Sequence, residues 1–134
     1  MIVGVGMSLQ SIAELEAATG NDASHRQCTF TAAEIDYCEA MRYPAIHYAA
    51  RYAAKNAALQ ALGLSHGPWL DIQTRNMGDR RPNLELTGAL VQAADKAGVC
   101  RILLSLSHTR EFAVAFVVLE ARTGPPVRKG EGIG

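Results

Sequence analysis

The sequence carries little charge and no excess of either sign. Of its 134 residues 19% are charged, and 13 Lys and Arg balance 13 Asp and Glu, so the formal net charge is zero. A chain without excess positive charge is not expected to bind nucleic acid, although a local basic pocket for phosphate is compatible with this balance. Intrinsic disorder is excluded as well, because 49% of the residues are hydrophobic.

Cysteines are few, and none is placed for a disulfide framework or a CxxC metal site. The chain has Cys28, Cys38 and Cys100, an odd number without a closely spaced pair. This indicates reduced thiols in an intracellular protein. The chain also lacks an apolar run long enough to cross a bilayer, and its apolar first residues have no basic lead typical of a signal peptide. We therefore expect a cytoplasmic protein that does not bind membranes.

Both strands and helices are indicated by the hydrophobic pattern. Strands are predicted over residues 2–7, 69–74, 84–86, 101–107 and 112–119, and helices over residues 8–18, 31–41, 44–62 and 87–98, with a polar loop over residues 19–27 and a turn over residues 76–82. The run 112–119 is apolar throughout, so it is either buried on both faces or part of a subunit interface. We predict one α+β domain over residues 1–121 and a flexible tail over residues 122–134, which is rich in Gly, Pro and charge.

The long alanine-rich helix carries two cations on one face. Arg51 and Lys55 are four residues apart, and Tyr52, Asn56 and Gln60 form the adjacent stripe. Such a pair of cations could form a subsite for phosphate groups. A solvated helix face, or an ion pair with nearby acids, explains the same pattern, and the spacing does not decide between these alternatives.

The turn between the last two predicted strands contains a histidine flanked by hydroxyl groups. His108 lies between Ser107 and Thr109, where it could contact a phosphate or another polar substrate. A surface histidine satisfied by its neighbours is the alternative. The other histidines have no metal-ligand spacing and are expected to be structural; they are His25, His47 and His66. His47 lies one helical turn before Arg51 and could join its face.

Several short segments occur in an order that is typical of one family. Residues 1–6 read MIVGVG, residues 30–38 FTAAEIDYC, residues 51–57 RYAAKNA, residues 82–86 PNLEL, residues 105–109 SLSHT and residues 113–115 AVA. From residue 1 to about residue 120 the chain resembles the holo-acyl-carrier-protein synthase type of the 4′-phosphopantetheinyl transferase family.

The resemblance implies a fold, an activity and a set of site residues. The fold is a small antiparallel sheet packed on a long central helix, in a homotrimer with each active site between two subunits. The activity is transfer of 4′-phosphopantetheine from coenzyme A to a serine of an acyl carrier protein, in fatty acid or polyketide biosynthesis. Catalytic roles are implied for Lys55, Asn56 and His108. Contacts with coenzyme A are implied for Arg51, Tyr52, Lys55, Gln60, Pro82, Ser107, His108 and Thr109.

The positions of the family's magnesium ligands are neutral in this chain. Ser8 stands where the family has an aspartate, and Asn56 stands where it has a glutamate. Mg²⁺ prefers carboxylate oxygens, so losing both charges should cost roughly several kcal/mol of metal binding. We expect weak magnesium occupancy and impaired transfer. Further departures are Gln60 in place of a lysine and Glu14 in place of a basic residue.

Three functions are compatible with this combination of kept and lost residues. The first is an active transferase in which Asp71, Asp36 or a substrate group assists the metal. The second is a non-catalytic homologue that binds coenzyme A or a carrier protein. The third is a repurposed enzyme acting on a thioester held by coenzyme A or a carrier protein, with Ser8, Tyr52, Asn56 or His108 in polar or acid–base roles.

Overall fold

The computed structural model describes residues 1–19, 22–76 and 81–122. Along the chain these residues form β1 (Ile2–Ser11), α1 (Ile12–Thr19), α2 (Ala23–Thr29), α3 (Ala32–Glu39), α4 (Pro44–Ala61), a 3₁₀ turn (Trp69–Asp71), β2 (Ile72–Asn76), β3 (Pro82–Leu86), α5 (Ala89–Lys96), β4 (Val99–His108) and β5 (Phe112–Ala121). The predicted α+β class is confirmed. The predicted turn and the predicted tail fall largely on residues 77–80 and 123–134, which lie outside the described residues.

Two antiparallel sheets flank the long helix α4. The larger sheet has the strand order β1-β5-β4, and the smaller is the β2-β3 hairpin. In the larger sheet Met7 pairs with Phe116, which pairs in turn with Ser105. The inner face of β5 is fully buried against the alanine side of α4, and this contact forms the main core; its members include Ala54, Ala57, Ala115, Val117 and Leu119. The small side chains let helix and sheet approach closely.

Two glycines of β1 set the distance between that strand and α4. A Cβ atom at Gly4 would overlap the carbonyl oxygen of Ala61, and one at Gly6 would overlap that of Ala57. Only glycine fits at these two positions, because strand backbone lies directly against helix backbone. From Gly4 to Gly6 the contact point on α4 moves back by one helical turn, from Ala61 to Ala57. Continuing this spacing to Ser8 leads to the helical turn before Ala57.

Two predicted boundaries near the amino terminus are wrong. The helix predicted from Ser8 begins at Ile12, because β1 pairs with β5 as far as Ser11 and the Ile12 amide donates to the carbonyl of Glu111 at 2.9 Å. The polar loop predicted over residues 19–27 contains α2. Its first turn is capped by Asp22, whose side chain accepts hydrogen bonds from the amides of Ser24 and His25.

The predicted capping box and the central helix are confirmed. The side chain of Thr31 accepts from the amide of Glu34, and the Glu34 carboxylate accepts from the amide of Thr31. Helix α4 begins at Pro44 as predicted. No helix among the described residues has the length and apolarity that crossing a membrane requires.

The outer face of the larger sheet is apolar and exposed in the single chain. On β5 the inner residues are buried, whereas Phe116 is 46% exposed. On β1 the exposed fractions of Val5, Met7 and Leu9 are 56%, 51% and 61%. One sequence-based alternative, burial of β5 on both faces within one chain, is therefore wrong. The other alternative, a subunit interface, fits this face.

Candidate active site

A cleft of about 190 Å³ lies where α3, α4, the β2-β3 hairpin and the end of β4 meet. Its lining residues are Tyr37, His47, Ala50, Arg51, Asn76, Pro82, Leu106, Ser107 and His108. Four residues that the resemblance implied as coenzyme A contacts are thus brought together although they are far apart in sequence; they are Arg51, Pro82, Ser107 and His108.

The guanidinium of Arg51 forms the buried wall of this cleft. Arg51 is only 3% exposed, and its Nη2 donates a hydrogen bond to Asn76 Oδ1 at 2.8 Å. The guanidinium carbon lies 3.9 Å from the centre of the Tyr37 ring. Its Nε has no hydrogen-bond partner, and none of the ion pairs among the described residues includes it. A buried cation without a counter-ion is costly, and an anion bound in the cleft would relieve that cost.

Asn76 and Tyr37 hold this guanidinium in place. The Asn76 Nδ2 donates to the Tyr37 hydroxyl at 3.0 Å while its Oδ1 accepts from Arg51. The amide therefore bridges β2 and α3 and fixes the side chain of Arg51 between them. Sequence reasoning assigned no role to either residue. The only available signal was the place of Tyr37 within the segment of residues 30–38.

Two histidines complete the basic wall of the cleft. His108 is exposed at the end of β4, with Nδ1 3.4 Å from the Thr109 carbonyl oxygen. His47 lies one helical turn before Arg51 and contacts the Tyr37 ring edge-on, with 5.7 Å between ring centres. Burial lowers the pKa of His47, and the positive charges of Arg51 and His108 lower it further. His47 was expected to be structural, although its position one helical turn before Arg51 allowed it to join the same face, and both residues line the cleft.

Lys55 does not face the cleft. Its ammonium is fully buried, lies 2.8 Å from Glu34 Oε1, and donates to the carbonyl oxygens of Trp69 and Ile72. Burial lowers the pKa of Lys55, which Glu34 partly offsets. An ammonium has three donors, and these partners use all of them. The ion pair, one of the alternatives left open from the sequence, is the arrangement observed. The catalytic and coenzyme A contacts that the resemblance implies for Lys55 stay a prediction.

Gln60, further along the central helix, contacts β1. Gln60 Oε1 accepts a hydrogen bond from the Met7 amide at 2.7 Å, so this side chain is engaged with the strand and does not line the cleft. Ser8 and Asn56 are half-buried. They offer a hydroxyl and an amide, and the described residues contain no group of three or more His, Cys, Asp or Glu that could hold a metal ion. This neutral donor set does not fit tightly held Mg²⁺.

Tyr52 and Thr109 have structural contacts beside the cleft. The Tyr52 ring packs against Trp69, with 5.6 Å between ring centres. The Thr109 hydroxyl accepts from the amides of Glu111 and Phe112, which closes the turn between β4 and β5. The two acids considered as metal helpers are placed elsewhere. Asp71 accepts from the Thr87 hydroxyl at 3.2 Å, and Asp36 is exposed on α3.

Comparison with known proteins gives consistent relatives in sequence and structure. A holo-[acyl-carrier-protein] synthase of Syntrophus aciditrophicus is 42% identical over 124 residues, covering 90% of this chain and 97% of that protein. Another from Anaeromyxobacter sp. (strain K) is 38% identical over 130 residues, covering 93% and 100%. No family model matches the chain.

Solved structures show the same fold. Holo-[acyl-carrier-protein] synthase from Neisseria meningitidis has a TM-score of 0.82 at 24% identity, covering 90% of this chain and 99% of that one. The enzyme from Bacillus anthracis in complex with CoA (3′,5′-ADP) has a TM-score of 0.75 at 29% identity, covering 91% and 99%.

The antiparallel sheet packed on a long helix is thus the fold of the solved holo-[acyl-carrier-protein] synthases. The identity of 42% over nearly the whole length of both proteins shows the family as well as the fold. The chain belongs to the holo-[acyl-carrier-protein] synthase family.

Proposed function

We propose that this protein is a cytoplasmic 4′-phosphopantetheinyl transferase that binds coenzyme A and an acyl carrier protein, and that its neutral metal positions make the transfer slow. The observation that carries this proposal is the buried guanidinium of Arg51, which has no ion-pair partner within the described residues and faces a cleft. Family membership supplies the chemical identity of the anion, a phosphate group of coenzyme A.

The site residues form two separate groups, which supports a homotrimer with shared sites. Arg51, Pro82 and His108 line the cleft, whereas Ser8 and Asn56 do not. The exposed apolar face of β1 and β5 is a surface that a second copy could cover. A neighbouring subunit would then bring the β1 side of one chain to the cleft of another. Sedimentation equilibrium checks this, since a monomer at micromolar concentration would contradict it.

Phosphoryl transfer requires neutralisation of charge on the transferred group. Arg51 supplies one fixed positive charge, and the exposed hydroxyl of Ser107 and the ring of His108 add polar contacts at the same wall. Mg²⁺, when bound, would supply further neutralisation. Ser8 and Asn56 offer it no negative charge, so we propose weak metal binding at these positions.

The test of this proposal restores the missing charges. Native protein, coenzyme A, an apo acyl carrier protein and Mg²⁺ at a concentration that leaves the native protein unsaturated should give a slow mass gain of one phosphopantetheine group on the carrier. The double variant Ser8→Asp/Asn56→Glu should be at least about tenfold faster, because the ion then has two anionic ligands. The matched control Gln27→Glu/Gln92→Glu adds the same charge at exposed helix positions and should match the native rate.

Absence of the mass gain in both the native protein and the double variant would overturn the proposed transfer. A native rate already equal to that of the double variant would overturn the proposed impairment. The saturated ammonium of Lys55 favours one second candidate, a homologue that binds coenzyme A without turnover. That candidate predicts coenzyme A binding by calorimetry together with an unmodified carrier.

A further inference from the structure

His47 occupies a position in the cleft that the implied site residues do not explain. It is half-buried on α4, lines the cleft together with Arg51 and His108, and is held edge-on against Tyr37. A core histidine would be expected to have a hydrogen-bonded partner or a purely apolar surround. His47 instead borders an open cleft whose wall already carries an arginine.

The described groups that face His47 are basic or neutral. Arg51 lies on the same helix, Tyr37 contacts it from α3, and the charge of His108 acts on it from the end of β4. Among the described residues that line the cleft, none carries a carboxyl group. Within this part of the chain, three basic side chains therefore share one small cleft without an acid beside them.

We propose that His47 is a phosphate-binding residue of this cleft and that it takes up a proton when a phosphate group of coenzyme A binds beside Arg51 and His108. This inference rests on the proposed function, because it takes coenzyme A as the ligand. It adds a residue and a proton to that site. The group that binds is a phosphate of coenzyme A, either the 3′-phosphate or the pyrophosphate.

The direction of the proton movement follows from the charges. Without ligand, burial and the neighbouring positive charges lower the pKa of His47, which favours the neutral ring. A bound phosphate brings negative charge to the same volume and favours the protonated ring. Binding of coenzyme A should therefore strengthen as the pH falls, by at most about tenfold per pH unit for one linked proton.

Calorimetry measures this proton directly. Coenzyme A is titrated into the native protein at pH 7.5 in two buffers of different ionisation enthalpy, and the difference in heat gives the number of protons taken up. The variant His47→Phe keeps the ring contact with Tyr37 and removes both nitrogen atoms. Its matched control is His25→Phe, because His25 is exposed on α2 and does not line the cleft.

We expect net proton uptake in the native protein and in the control, and a clear loss of uptake in His47→Phe. The coenzyme A affinity of His47→Phe should be about tenfold weaker than native at pH 6 and nearly equal at pH 8.5. Unchanged uptake and an unchanged pH profile in His47→Phe would overturn the inference and leave the proposed function standing. Failure of the native protein to bind coenzyme A would overturn both.

Two further experiments exclude a folding defect and identify which phosphate group of coenzyme A lies beside His47. His47→Gln repeats the measurement with a polar, uncharged side chain, and thermal unfolding shows that each variant is folded. Dephospho-coenzyme A repeats the titration without the 3′-phosphate. Uptake lost with this ligand identifies the 3′-phosphate as the group beside His47, and uptake retained identifies the pyrophosphate.

Discussion

Lys55 and Arg51 lie one helical turn apart on α4, and both are almost completely buried. Lys55 is 0% exposed and is surrounded by one carboxylate and two carbonyl groups. Arg51 is 3% exposed, contacts one amide and one aromatic ring, and has a nitrogen that is unpartnered within residues 1–19, 22–76 and 81–122. Within these residues, one cation of the helix is paired with a carboxylate and the other is not.

This difference predicts that Lys55 contributes mainly to stability and Arg51 mainly to binding. Lys55 ties α4 to α3 through Glu34, and Glu34 Oε2 accepts from the amide of Thr74 at 3.0 Å in β2. Removal of either charge would leave the other buried and unpaired. Among the described residues no carboxylate is paired with Arg51, so its loss leaves none of them unpaired. The loss of Arg51 should mainly remove attraction for an anion.

The largest expected effect is on stability and concerns Lys55. Lys55→Met should lower the free energy of unfolding by about 3–5 kcal/mol, because the Glu34 carboxylate is left without its cation in the core. Urea denaturation measures this change. The control Arg75→Met breaks the exposed ion pair with Glu85 and should cost less than about 1 kcal/mol.

The double variant Lys55→Met/Glu34→Leu should recover part of the lost stability, because no isolated charge remains. A Lys55→Met protein of native stability that no longer transfers phosphopantetheine would contradict the structural role given to Lys55. Lys55 would then act on the substrate, as the family resemblance implied.

The next effect concerns Arg51 and appears in binding. Arg51→Met should weaken coenzyme A binding roughly tenfold to hundredfold, the range expected for a lost charged hydrogen bond of about 1.5–3 kcal/mol. Stability should fall by only about 1 kcal/mol, because the loss of one hydrogen bond and of the contact with Tyr37 is partly offset by removal of a buried charge. Calorimetry and urea denaturation on the same samples compare both quantities. An Arg51→Met protein that is much less stable than native but binds coenzyme A normally when folded would show that Arg51 serves stability and not binding.

The smallest effect concerns Asn76, which positions Arg51. Asn76→Ala should weaken coenzyme A binding about threefold to tenfold, because the guanidinium loses its fixed orientation while keeping its charge. The control Asn83→Ala changes an exposed residue of β3 that does not line the cleft, and its affinity should equal the native value. Equal affinities of the two variants would show that Arg51 needs no such support.

Most of the fold could be predicted because hydrophobic periodicity and capping residues act locally. Pro44 and the Thr31–Glu34 capping box mark helix starts that the structure contains. The end of β1 could not be predicted in this way. Leu9, Ile12 and Leu15 fit a helical period, but pairing of the segment with β5 overrides this local preference as far as Ser11.

The site was only partly predictable, because spacing gives the face of a helix and not the partner across from it. Arg51 and His108 were expected at a phosphate site, and they share a cleft. Lys55 satisfied the same spacing argument, yet Glu34 on another helix takes up its charge. No feature of the sequence indicated Asn76, whereas the spacing of His47 from Arg51 indicated a shared helix face but not the cleft.

The direct backbone contact between β1 and α4 has a consequence for engineering this protein. A side chain at Gly6 has no room beside the Ala57 carbonyl, so no layer of adaptable atoms separates the two elements there. Repacking cannot make room for a side chain at Gly6, so strand and helix keep one spacing at this point. Positions 8 and 56 lie two residues and one residue from this contact along the chain, so carboxylates placed there stand beside a backbone contact that cannot widen by repacking.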